Sequence, residues 1–103
     1  MEPLAAEFER AVRQDVEHVK KVSSYRPSYY LQMLANDGAV ATAKKLVLAG
    51  STHEGFARLW ELDLLDRSIE AAMIRPEFSQ LFTADELEAA RSRLRAHGVD
   101  VDA

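Results

Sequence analysis

Leu4, Phe8, Val12, Val16 and Val19 recur at steps of three or four residues, which draws one apolar stripe along a helix. Pro3 suits a first turn, so the stripe predicts a helix over about residues 3–22. Glu7, Arg10, Arg13, Gln14, Glu17 and Lys20 fall on its wet side. Lys20 and Lys21 come late, where cations complement the helix dipole. Arg26 precedes Pro27 and is biased away from helical angles, which breaks the pattern. A second helix is predicted over about residues 27–36, with Tyr30, Leu31, Met33 and Leu34 as its apolar content. Asn36-Asp37-Gly38 signals a stop and a turn. A third helix follows over about residues 39–49, with Val40, Ala43, Leu46 and Val47 on one face and Lys44 and Lys45 beside it.

Ser51 or Thr52 can cap a fourth helix through HEGFARLWEL, in which Phe56, Leu59 and Trp60 are core candidates. A bend is expected at residues 63–66, with Asp66 capping a fifth helix that carries Ile69, Ala72 and Met73. Arg75-Pro76 closes that helix. Residues 77–82 read as one short helical turn. Thr83-Ala-Asp-Glu86 matches the capping box, in which hydroxyl and carboxylate each satisfy an orphan backbone donor. The last helix is predicted over about residues 84–97, with Leu87, Ala90 and Leu94 inward and Gly98 as its stop. The predicted fold is all-α: a compact bundle of five or six short helices with a longer N-terminal one. It occupies residues 1–98 as one domain, and residues 99–103 form a loose tail. The expected core is Trp60, Phe56, Leu59, Phe78, Phe82, Met33, Leu34 and Leu94. The stripe of the first helix extends beyond what a bundle of short helices needs, which predicts an apolar face left over for a partner.

Composition narrows the chemistry. The 103 residues include no cysteine, which removes disulfides, thiol nucleophiles and Cys-ligated metals. A net charge of −4 gives no global pull toward nucleic acid or anionic membranes. The acidic, amphipathic start is unlike a signal peptide, and no apolar run approaches the ~18 residues of a membrane span. A cytoplasmic protein is expected.

The stretch GFARLWELDLLDRSIE mixes apolar bulk with Glu61, Asp66 and Glu70. Two crowded carboxylates could serve acid/base chemistry, because crowding separates their pKa values. Arg58, Arg67, Arg91, Arg93 and Arg95 lie in the same half of the chain, and capping and ion pairing are the commoner uses of such groups. Structural roles are therefore expected for Trp60, Glu61, Asp66, Glu70 and Arg91, with Arg58 and Glu61 paired one turn apart. His18, His53 and His97 fall in no H-E-x-x-H spacing, no serine sits in a G-x-S-x-G elbow, and the glycines form no phosphate loop. No enzymatic activity, metal, cofactor or small-molecule ligand is predicted.

The surface with most binding chemistry combines SSYRPSYY with AKK. Lys20, Lys21, Tyr25, Arg26, Tyr29, Lys44 and Lys45 would put rings and cations together. Such a surface suits an acidic protein partner, or single-stranded nucleic acid held by stacking and phosphate neutralisation. Alternatively the tyrosines pack inward and the lysines are a solvated face.

Tyr25-x-Pro27-x-Tyr29, Met33-Leu34, Gly38 and Ala43-Lys44-x-Leu46 begin a longer pattern. It continues as Gly55-Phe56-x-x-Leu59-Trp60-Glu61, Leu65-Asp66-x-Ser68-x-Glu70, Phe78-x-x-Leu81-Phe82 and Ala90-Arg91-x-Arg93-Leu94. Over about residues 23–98 this resembles a small bacterial helical domain of unknown function. That domain occurs alone or attached to larger proteins, among them restriction-like nucleases of the HNH kind. The pattern commonly has a glycine near Asp63. The resemblance implies no activity for the module itself, and no HNH motif is present. The expected function is a non-catalytic protein–protein interaction or accessory module of a bacterial system, self-association included. The alternative is a nucleic-acid-contacting accessory domain of a defence or DNA-processing system.

Overall fold

The computed structural model describes residues 3–48 and 54–101. It is all-α: α1 (Pro3–Val22), α2 (Ser28–Asp37), α3 (Ala39–Leu48), α4 (Glu54–Glu61), α5 (Ile69–Met73) and α6 (Ala84–Ala96). Two single 3-10 turns, Leu65–Arg67 and Ser79–Leu81, join the later helices, and no strand occurs among the described residues. The capping expected of Ser51 or Thr52 lies outside the described residues. A radius of gyration of 12.6 Å matches the ~13 Å of a single folded domain of about 100 residues. Among the described residues no helix is long and apolar enough to cross a membrane.

The stripe on α1 forms as predicted, and Phe8, Val12, Val16 and Val19 are all buried. α1 lies against α3 and α5, and α3 in turn touches α2 and α6. Phe8, fully enclosed, meets the rings of Phe78 and Phe82 edge-on, at centroid distances of 5.3 and 5.2 Å. Leu34, Ala39, Ala43, Val47, Ile69, Met73 and Ala90 complete this core. The surplus apolar face expected on α1 is thus corrected: the chain's own helices cover the stripe.

A second, smaller cluster gathers Phe56, Leu65 and Leu94, with Leu59, Val99 and Val101 packed on it. The first residues of the expected loose tail are therefore placed, while residues 102 and 103 lie outside the described ones. Trp60 corrects the predicted core. It is 53% exposed and meets the ring of His97 edge-on at 5.0 Å. The reason is geometric: the short α4 packs chiefly on the Leu65–Arg67 turn, and Phe56 fills the inward position one turn earlier. Trp60→Ala is accordingly expected to cost only ~1 kcal/mol, the scale of one aromatic edge contact. A melting temperature only a few degrees below the parent's is the result to look for.

Glycine-type turns set the helix directions. Gly38, at φ +84 and ψ 162, occupies a region that side chains do not reach, and it lets α3 start one residue after α2 ends. The Ala39 N–H that opens α3 donates to Glu9 Oε1 of α1 at 3.0 Å. α4 and α6 both end in the same hydrogen-bonded motif. Leu64 N–H donates to Leu59 O and Asp63 N–H to Trp60 O, just as Val99 N–H donates to Leu94 O and Gly98 N–H to Arg95 O. The left-handed residue is Gly98 (φ +89) in one and Asp63 (φ +60) in the other. Asp63→Gly, which removes a Cβ from a left-handed position, is expected to stabilise the fold by ~1 kcal/mol. Urea denaturation should show a higher midpoint with an unchanged slope.

The capping box at α6 is present as read. Thr83 Oγ1 accepts from Glu86 N–H at 3.1 Å, and Glu86 Oε1 accepts from Thr83 N–H at 2.9 Å. The same oxygen takes a bond from Lys44 Nζ at 2.9 Å, which ties the start of α6 to α3. Burial works against the Glu86 charge, but the Lys44 and Thr83 hydrogen bonds outweigh it and hold the carboxyl below its ordinary range.

Candidate functional site

The chain leaves α1 through a loop that its own side chains fix. Ser23 Oγ donates to Val19 O at 2.8 Å and accepts from Tyr25 N–H at 3.2 Å. Arg26 Nη1 donates to Ser23 O and Tyr25 O at 3.1 and 3.0 Å, closing the loop over its own backbone. Pro27 is buried, and its carbonyl accepts from Leu31 N–H at 2.9 Å to start α2. The Arg58 guanidinium of α4 lies 6.0 Å from the centre of the Tyr25 ring.

This loop forms one wall of a groove of about 370 Å³. Val16 and Val19 of α1, Tyr29, Tyr30 and Met33 of α2, Leu46 of α3 and Leu59 of α4 supply its rings and most of its aliphatic side chains. Arg67, Ser68, Ile69 and Glu70 line it as well. Tyr29 stands at the rim, 78% exposed, whereas Tyr30 is partly buried. Burial, with the charges of Glu70 and Asp15 nearby, pushes the Tyr30 phenol far above the ordinary tyrosine range. Burial also raises the Asp15 carboxyl, although Arg67 beside it, at 3.4 Å, pulls the other way.

The predicted ring-and-cation surface is therefore brought together only in part. Tyr25, Arg26 and Tyr29 line the groove. Lys44 and Lys45 do not: Lys44 pairs with Glu86 and lies 5.6 Å above the Phe82 ring, and Lys45 pairs with Asp37 at 2.9 Å. The correction has a simple cause, because Leu46 is the α3 residue turned to the groove and its lysine neighbours point elsewhere. Lys20 and Lys21 belong to a second, shallower groove along the outer face of α1, with Arg10, Arg13, Gln14, Glu17, His18 and Arg67. Arg67 lines both grooves and joins them. Sequence reading placed Arg10, Arg13 and Lys20 on the wet side of α1 without joining them into a basic stripe. Their spacing of three and seven residues was the available signal.

The carboxylates of residues 61–70 do not form one cluster: Glu61 and Asp66 are exposed, and Glu70 is buried. Glu61 is exposed and lies 3.7 Å from Arg58, as expected. Glu70 is fully buried and accepts from Arg93 Nη1 at 2.9 Å, and the same nitrogen donates to Leu46 O at 3.0 Å. The structural role assigned to Arg91 is thus corrected to Arg93: among the described residues Arg91 makes no ion pair. Asp66 is corrected as well. It is exposed in the 3-10 turn beside Arg67, at 3.8 Å, and Ser68 caps α5, its Oγ accepting from Ala71 N–H at 3.2 Å. Ser68 Oγ also donates to Leu65 O at 2.7 Å, a bond that Asp could not make.

Among the described residues no three His, Asp or Glu side chains group as a metal site requires. The groove offers surface instead: rings, aliphatic side chains and guanidinium groups at a fixed rim. No family model, no curated protein and no solved structure matches this chain.

Proposed function

We propose that this chain is a non-catalytic interaction module that receives a protein partner in the groove between α1, α2 and the Leu65–Arg67 turn. The observation that carries this reading is the apolar groove itself, with the Tyr29 ring exposed at its rim. A tyrosine combines a large apolar body with a polar tip, and such residues dominate binding energy at interfaces. The loop is held by Ser23 and Arg26, so little ordering remains to be lost on binding. The placement of such a module in a bacterial system rests on the resemblance over residues 23–98.

Selection of random twelve-residue peptides on the immobilised protein tests the reading. Selected peptides should lose at least about tenfold in affinity, ~1.4 kcal/mol, on the variant Tyr29→Asp. Far-ultraviolet circular dichroism should leave that variant's helical content unchanged, since the side chain is exposed. Failure to enrich any sequence, or affinities indifferent to Tyr29→Asp, would remove the groove from consideration.

A further inference from the structure

The groove does not end in neutral surface. Arg67 stands in its wall and also in the shallow depression on the outer face of α1, where Arg10, Arg13, Lys20 and Lys21 lie. That face thus holds five cations and one lining carboxylate, Glu17, in a chain whose net charge is −4. Some of the cations are engaged: Arg13 with Glu9, Lys20 with Glu17 and Arg67 with Asp15. Arg10 and Lys21 are exposed and make no ion pair among the described residues. Two exposed cations, Arg10 and Lys21, are thus left over on a face that adjoins the apolar groove at Arg67.

We infer that the occupant is an acidic peptide segment of a partner protein. It places one large apolar side chain in the groove and lays carboxylates along α1 from Lys21 toward Arg10. The inference rests on the groove being the docking site. Arg10 and Lys21 stand eleven residue steps apart, about 16 Å of helix at ~1.5 Å per residue. An extended peptide crosses that distance in about five residues. The recognised segment therefore has its acidic residues within about six positions of its apolar anchor. Charge complementarity of this kind mainly raises the association rate and selects against basic partners.

A nucleic-acid strand fits the same surface less well. Its charges are continuous, while the carboxylates Glu9, Asp15 and Glu17 interrupt the basic face and already engage three of its cations. A peptide can set its few carboxylates opposite Arg10 and Lys21 and leave the interruptions unopposed.

The peptide selection is decisive when its products are read by charge and re-measured on the exposed double variant Arg10→Glu/Lys21→Glu. Enriched sequences should carry an apolar residue with an excess of Asp and Glu on one side. They should lose about tenfold or more in affinity on the double variant and on raising NaCl from ~50 to ~500 mM, a range over which surface charges are strongly screened. Neutral or basic sequences that bind, depend on Tyr29 and ignore the double variant would overturn the acidic segment while leaving the docking groove in place. Absence of any enriched sequence would end both. Binding of a fluorescein-labelled twenty-nucleotide oligo(dT) at ~50 mM salt, lost in the double variant but kept in Tyr29→Asp, would overturn the peptide in favour of nucleic acid.

Discussion

Phe8→Ala should unfold this domain at physiological temperature or come close to it. The ring is fully enclosed and stands edge-on to both Phe78 and Phe82, so it joins the first helix to the segment that leads into the last. Truncating a buried Phe to Ala costs ~3–5 kcal/mol, through lost transfer energy and the cavity left behind. Domains of about 100 residues have only ~5–15 kcal/mol in total and shift by ~4–8 °C per kcal/mol. A loss of at least ~12 °C in melting temperature is therefore expected. Phe8→Leu, which keeps most of the volume, should lose much less. A Phe8→Ala protein that melts within about 5 °C of the parent would show that the core is centred elsewhere.

Arg93→Met is expected to be comparably severe, for a different reason. It removes the guanidinium from a carboxylate that has no exposure to water, and it strips Leu46 O of its donor. Breaking one partner of a buried pair costs ~3–5 kcal/mol, because the remaining charge is stranded. The informative comparison is the double variant Glu70→Leu/Arg93→Met. Two well-packed apolar side chains in place of a buried pair are often neutral, so the double variant should recover most of the loss. If urea titrations show the two changes simply adding, Glu70 and Arg93 are not acting on each other.

The helices were readable in the sequence because their punctuation is local. Gly38, Gly98, the Pro27 entry and the Thr83–Glu86 box all act within one or two turns, and each stands where its residue type predicts. Errors arose where a choice depended on a distant surface. Phe56 and Trp60 lie one turn apart on the same side of α4, and only the packing of that helix on the Leu65–Arg67 turn decides which ring is covered. Arg91 and Arg93 were separable in principle. At about 100° per residue, Arg93 lies roughly 60° from the fully buried Ala90, and Arg91 about 100° away on the other side. Ser68 lost to Asp66 as the expected cap because a 3-10 turn, invisible to a helical period, displaced the start of α5. Of the site, the run from Tyr25 to Tyr29 was readable, since one loop presents it. The separation of Lys44 and Lys45 from it was not, because it follows from the rotation of α3 against α6.

The bond from the Ala39 amide to Glu9 carries a lesson about where this unit begins. A truncation near residue 23 would remove that carboxylate. Such a fragment would open α3 without its anionic lid and would expose the surfaces that α1 shelters. The first helix is masonry of the domain, and a fusion joint belongs ahead of Pro3.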